Sequence, residues 1–238
     1  MVNDLTLITC SYNTPLITEC MLKTYCKYHE GKHRIIIVEN SDLGDNTRGM
    51  LERYNIPYVG GYKVLPPPPE EDNWGWSHHQ GLDWAVRNCK TRYCLIVDTD
   101  IIFTCNILHL LDILKRDSSI VALGPHQKEH QKEQKTILPR IHPCFMFLDT
   151  IFFNSYSDLT FNGSLETIKE EECYDVGSYL FKRVKELGKQ TFPIQHNKLY
   201  VHLEGASWAE DKQHVLDVYT NNVYNRLSNI DITRRFYY

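Results

Sequence analysis

Apolar and polar positions alternate in blocks along the first half of the chain. Leu5 to Tyr12 (LTLITCSY) is a strand-like apolar run, and Pro15 to about His29 then carries helical spacing, with Thr14 placed as its cap. Arg34 to Ser41 (RIIIVENS) is a second strand whose unbroken apolar run suits burial on both faces of a parallel sheet. A short helix over Thr47 to Tyr54 and a weaker strand in IPYVGGY follow. Pro66 to Trp76 (PPPPEEDNWGW) can only be a loop. Ser77 to Asn88 reads as a helix with Leu82, Ala85 and Val86 on one face, and YCLIVDTD as the next strand. This β-α-β-α order predicts an α/β domain with a mainly parallel sheet, in which ligands bind beyond the carboxyl ends of the strands. Ser11, Glu39 and Asp98 fall at such ends.

The second half is less regular. His126 to Lys135 is polar throughout and reads as a solvated loop or helix face. CFMFLDTIFF predicts a strand entering a helix, and DVGSYLFKRVKELGK a helix beginning near Val176 and stopped by Gly188. KLYVHLEGAS is another strand, and Ala209 to Leu227 a helical tail. The final ITRRFYY carries no stop signal, as in a piece of a longer protein.

Composition narrows the classes. The chain has 238 residues, 42% of them hydrophobic, enough to bury a substantial core. A formal net charge of −4 gives no basic excess to attract nucleic acid. The start shows no secretory pattern, and no run approaches the roughly 20 apolar residues of a membrane span. Eight cysteines are scattered without a CxxC pair, which predicts reduced thiols in the cytoplasm rather than a disulfide framework or structural zinc.

Asp98 and Asp100 interrupt an apolar run (CLIVDTDIIF). On an extended chain residues two apart point the same way, with Thr99 turned opposite. Two adjacent carboxylates repel, and a divalent cation such as Mg²⁺ or Mn²⁺ removes the conflict while engaging a substrate diphosphate. The alternative is a turn in which each acid caps a backbone group. His202 in YVHLEGAS could supply a third ligand. His78 and His79 are alternatives, but neighbours on a helix point about 100° apart and share an ion poorly.

The chain resembles a GT-A fold glycosyltransferase, closest to the family 2 type. LTLITCSYN is similar to the first strand and nucleotide-binding turn, and IIIVENSDLGDN to the second strand. NWGWSHHQGLDWAVRNCKTRYCLIVDTD is similar to the Asn-x-Gly helix and the DxD strand, and YVHLEGAS to the late strand whose His completes a metal site. Glu39 stands where the family commonly has Asp, and His79 where it has Asn. The family's Glu-Asp pair holding the catalytic base is not intact; EECYDVGSY occupies that region.

The resemblance implies a GT-A (Rossmann-like) mixed, mainly parallel sheet flanked by helices. It implies one domain over 1–238, with a nucleotide-sugar half at 1–104, an acceptor and catalytic half at 105–208 and a helical tail at 209–238. It implies metal-dependent transfer of a sugar from a nucleotide-diphosphate sugar to a hydroxyl acceptor such as a glycan, with inversion. Asp98, Asp100 and His202 would hold Mn²⁺ or Mg²⁺. Thr9, Ser11, Tyr12, Glu39, Trp74, Gly75, His79, Asp98 and Thr99 would contact the donor, with Trp76 and Trp208 as further stacking candidates. Asp175 would be the base, just before the helix and projecting from its N-terminus at the positive end of the dipole, with Glu171 and Glu172 behind it; the alternative for Asp175 is a plain N-cap. A nucleotidyltransferase would share the layout, but the first loop, CSYNTP, lacks the glycines that grip a triphosphate. A non-catalytic carbohydrate-binding relative would be expected to have lost the DxD.

Overall fold

A computed structural model describes residues 4–41, 46–60, 76–132, 135–162, 172–195, 198–203 and 224–238. The strands are β1 (Leu5–Ser11), β2 (His33–Glu39), β3 (Val59–Gly60), β4 (Tyr93–Val97), β5 (Ile101–Phe103), β6 (Ile120–Gly124), β7 (His126–Gln127), β8 (His130–Lys132), β9 (Lys135–Ile137), β10 (Arg140–Ile141), β11 (Phe145–Asp149), β12 (Glu172–Cys173), β13 (Gln190–Pro193), β14 (Tyr200–His202) and β15 (Phe236–Tyr237). The α-helices are α1 (Pro15–Tyr28), α2 (Thr47–Arg53), α3 (Trp76–Asn88), α4 (Leu111–Arg116), α5 (Thr150–Asn154) and α6 (Ser178–Glu186).

The main sheet has eight strands in the order β13-β6-β11-β4-β1-β2-β15, with β3 also on β2. All its pairings are parallel except those of β11, which runs against both β4 and β6. The unbroken apolar runs are explained by two cores, one on each face. Leu7, Ile35, Ile37, Leu95, Val97, Phe145 and Phe147 join α1 and α2 through Met21, Leu22, Tyr25 and Leu51. The alternate residues Ile8, Ile36, Val38, Ile96, Met146 and Leu148 join α3 and α6 through Leu82, Val86, Leu180 and Val184. Strand periodicity therefore sends successive side chains into opposite apolar layers, with no polar position needed between them. Helix α3 lies close on the sheet at Gly81, where a Cβ would stand 2.8 Å from Cys10 Sγ and 3.2 Å from Val38.

Two segments depart from the sequence pattern. The polar stretch from His126 is not a plain solvated loop. It forms antiparallel ribbons, β7 with β10 and β8 with β9, because backbone pairing asks for no apolar side chains. The chain's end is not wholly helical either. Residues 224–227 form a 3₁₀ turn, and Phe236–Tyr237 add a parallel strand beside β2. Phe236 is buried in the core, so burial of its ring outweighs any helical preference there. The remainder of the predicted tail, 209–223, lies outside the described residues.

The C-terminal segment closes over a pair of buried histidines. Arg235 donates to the carbonyls of His29 (2.9 Å) and Gly31 (2.7 Å). His29 Nε2 accepts from the amide of Ile107 at 3.1 Å, so its ring proton sits on Nδ1, which donates to Tyr25 O at 2.7 Å. Burial holds the His29 imidazole down at about 4. A base depressed in the folded state contributes stability that is full above its unfolded value near 6.5 and lost as pH falls towards 4. In urea melts His29 should therefore contribute a loss of about 2 kcal/mol between pH 7.5 and 5, read as the difference between wild type and His29→Gln. His29→Gln should be less stable at neutral pH and much flatter across that window. Parallel curves for the two proteins would assign the acid sensitivity to other groups.

Candidate active site

Chemistry collects at the carboxyl rim of the sheet, where β4 ends. Asp98 N donates to Cys144 O at 3.0 Å, which ties the rim to the start of β11, and Ile101 N returns to Asp98 O at 3.3 Å. The chain thus passes Asp98 to Asp100 through a turn, not extended as the spacing predicted. The turn, with Thr99 buried in it, is what brings the two acids together. β14 then pairs antiparallel with β5, setting His202 opposite Ile101, and Leu203 N donates to Asp100 O at 3.0 Å. Ligand atoms of Asp98, Asp100 and His202 consequently lie within 4.8 Å of one another.

This trio fits a divalent cation. Asp100 is only 2% exposed, and its buried Oδ1 accepts no hydrogen bond, although His202 Nε2 is 3.2 Å away. A buried carboxylate oxygen without a donor is costly, and a cation satisfies it. Burial pushes the Asp98 carboxyl above its ordinary range; His78 opposes this, Asp100 adds to it, and His202 and Arg140 oppose it. Two carboxylates and one imidazole form a donor set suited to Mn²⁺ or Mg²⁺.

The adjacent histidines of α3 divide as helix geometry requires. His78 Nε2 lies 3.8 Å from Asp98 Oδ1, whereas His79 is 7% exposed and packed inward. Helix α3 is held in place by Asp83, which accepts from Phe161 N at 2.9 Å and from the Thr160 hydroxyl; burial raises its carboxyl to about 6.

On the other side of the DxD turn, β1 ends with Thr9 and Ser11 on one face. Both hydroxyls are buried and have no hydrogen-bond partner. Tyr12, just beyond, is 50% exposed. Glu39 is fully buried, and both its oxygens are taken by the chain itself: Oε1 accepts from Ser41 N at 2.6 Å, and Oε2 pairs with Arg48. Arg48 also donates to Ser41 O at 2.7 Å, and Ser41 Oγ accepts from Asn13 N at 2.8 Å, so this cluster fixes the loops after β1 and β2 to each other.

Asp175 is placed differently from the expectation. α6 begins at Ser178, and Gly177 takes the cap position with φ 88. A Cβ there would stand 2.5 Å from the carbonyl of Ile141, so glycine is required by both the backbone angle and the close approach. Asp175 therefore precedes the cap rather than filling it. Its Oδ1 accepts from Val176 N at 2.7 Å, and its Oδ2 lies 2.5 Å from Arg140. Glu172 contributes backbone to β12, paired with β9. Its side chain and that of Trp76 are outside the described set, as are Trp74, Gly75, Glu171 and Trp208.

Two neighbours carried no role in the sequence reading. Arg140, 8% exposed, donates Nε to Gln127 Oε1 at 2.6 Å besides holding Asp175. His142 lies beside His202, with ring centroids 6.2 Å apart, and accepts at Nδ1 from Cys144 N at 3.1 Å. Burial, then the charges of Arg140 and His202, hold its imidazole down at about 3. The signal was the alternation in RIHP, which puts Arg140 and His142 on one side of the chain and the fully buried Ile141 on the other.

No family model and no curated protein matches the sequence. Solved structures do match the fold. A mannosyltransferase, PcManGT from Pyrobaculum calidifontis in complex with GDP-Man and Mn²⁺, aligns over 94% of this chain and 62% of its own at 12% identity and TM-score 0.57. S. aureus TarS 1-349 in complex with UDP-GlcNAc aligns over 90% and 64% at 15% identity and TM-score 0.53. Glucosyl-3-phosphoglycerate synthase from Mycobacterium tuberculosis, in complex with Mn²⁺, UDP and glucosyl-3-phosphoglycerate, aligns over 95% and 79% at 10% identity and TM-score 0.52. The chain thus has the GT-A fold, and it spans 62% of the mannosyltransferase and 40% of a longer TarS chain. No helix among the described residues is long and apolar enough to cross a membrane.

Proposed function

We propose that the chain is a metal-dependent glycosyltransferase that moves a sugar from a nucleotide-diphosphate sugar to a hydroxyl acceptor such as a glycan, with inversion. The observation that carries this is the orphaned Asp100 oxygen beside Asp98 and His202, at the carboxyl rim of a GT-A sheet. When bound there, Mn²⁺ or Mg²⁺ offsets the charge that builds on the departing nucleoside diphosphate. Thr9, Ser11 and Tyr12 line the nucleoside side, and Glu39 shapes it by fixing its loops through Arg48. Thr99 and His79 hold the turn and helix behind the diphosphate, and the family resemblance assigns Trp74 and Gly75, which lie outside the described residues, to the donor. Asp175 takes the acceptor proton, with Glu172 as the alternative. The seven described cysteines are free thiols, which fits a cytoplasmic setting, and the greater length of the solved relatives fits further domains in a longer chain.

The test is a panel of UDP- and GDP-linked sugars incubated with the chain. Release of nucleoside diphosphate with Mn²⁺, abolished by EDTA, is expected for at least one member. NMR of the product's anomeric proton then reads the stereochemistry. Turnover indifferent to EDTA, or no Mn²⁺-dependent binding across the panel, would remove the reading.

A further inference from the structure

The proposed reaction leaves His142 without a task, yet its ring lies beside that of His202. One side of its ring faces the metal ligand His202, at 6.2 Å between centroids. Two residues earlier in the same segment, Arg140 grips Asp175 at 2.5 Å. In an in-line displacement the anomeric carbon lies between the leaving diphosphate oxygen, on the side where Asp98, Asp100 and His202 would hold a cation, and the acceptor hydroxyl at the base. A ring that touches the ligand His202 and lies two residues from the partner of the base is placed to border the sugar being transferred.

The hydrogen bonding of the ring defines what it can offer. Nδ1 accepts the Cys144 amide, so in this neutral ring the proton is on Nε2. That leaves a single side-chain donor, Nε2–H, and no acceptor. The backbone holds it firmly, since His142 N donates to Pro125 O at 2.8 Å and Cys144 O receives the Asp98 amide at 3.0 Å. The loop that orients His142 is thus pinned to the DxD turn itself. A fixed neutral donor beside a sugar matches a hydroxyl oxygen, and a site built to bond a substrate hydroxyl discriminates strongly against sugars that lack it.

We propose that His142 is a specificity-determining residue whose Nε2–H donates to a hydroxyl of the transferred sugar. This rests on the glycosyltransferase reading, and substitution can separate it from a purely structural role. In His142→Asn the side-chain oxygen occupies the place of Nδ1 and can accept the Cys144 amide two residues on, as in an Asx turn, while the outer donor is lost. In His142→Gln the amide nitrogen reaches towards the place of Nε2, while the inner acceptor is lost.

Calorimetric titrations with Mn²⁺ would compare UDP and GDP with UDP-glucose, UDP-N-acetylglucosamine, UDP-galactose and GDP-mannose. For the donor that wild type binds more tightly than its bare nucleotide, His142→Asn should lose about tenfold in affinity while the bare nucleotide changes less than threefold. His142→Gln should recover most of that loss. If His142→Asn binds that donor as wild type does, the ring serves only the loop and the proposal falls. If bare UDP or GDP weakens equally, His142 contacts the diphosphate, and the assignment to the sugar falls. A wild-type chain that binds none of the six with Mn²⁺ removes the glycosyltransferase reading, and this assignment with it.

Discussion

Asp100→Ala should abolish Mn²⁺-dependent nucleotide binding and lower turnover by at least about a thousandfold, with the fold intact. The carboxylate it removes is 2% exposed, and one of its oxygens has no hydrogen bond and only the His202 ring 3.2 Å away, so in the empty protein it contributes little stability. The apo variant should melt at or slightly above the wild-type temperature. Wild type should gain stability on addition of Mn²⁺ with UDP or GDP, because a ligand that binds only the folded state adds free energy as its concentration exceeds Kd. The variant should gain almost none. Thermal melts in the four combinations of metal and nucleotide read both effects at once. A variant that keeps the Mn²⁺-dependent shift would place the cation elsewhere. Asp100→Asn sharpens the test, since it keeps the shape of the turn but not the anionic ligand.

Much of this site was legible in the sequence because strands buried on both faces announce themselves as apolar runs. β1, β2 and β4 could be read that way, and with them the rim where Ser11, Glu39 and Asp98 fall. Partners supplied by distant segments were harder. His202 reaches Asp100 only because β14 pairs antiparallel with β5, about a hundred residues earlier in the chain, a register that periodicity in either segment does not specify. Helix spacing showed that His78 and His79 must face apart, but which one faced the acids depended on how Gly81 seats α3 on the sheet. The start of α6 falls two residues later than its pattern suggests because αL geometry at Gly177 is a tertiary demand, set by the carbonyl of Ile141. Arg140 and His142 sit on a two-residue strand and the residue after it, where the alternation in RIHP is too short to stand out from its surroundings.

Asp175→Asn should lower transfer by two to four orders of magnitude, roughly the range for a lost general base, while leaving Mn²⁺-dependent donor binding near wild type. The attacking hydroxyl must shed its proton as the new bond forms, and an amide cannot take it. Stability needs a separate control, because Asp175 does not cap α6 but pairs with Arg140 at 2.5 Å. Asparagine keeps the oxygen that accepts the Val176 amide but sets a poorer partner against the guanidinium. Asp175 is about a third exposed, so solvent screens the pair, and its loss should cost only about 1–2 kcal/mol. Arg140→Gln breaks the same pair from the other side and retains the carboxylate. If Asp175 is the base, the two variants should fall by similar amounts in melting temperature, yet Asp175→Asn should be at least about tenfold slower in transfer than Arg140→Gln. Equal rates at equal stability would mean that the pair matters only as a clasp between β10 and the turn before α6. Transfer with inversion surviving in Asp175→Asn would move the search to Glu172, whose strand β12 leads directly into the same turn.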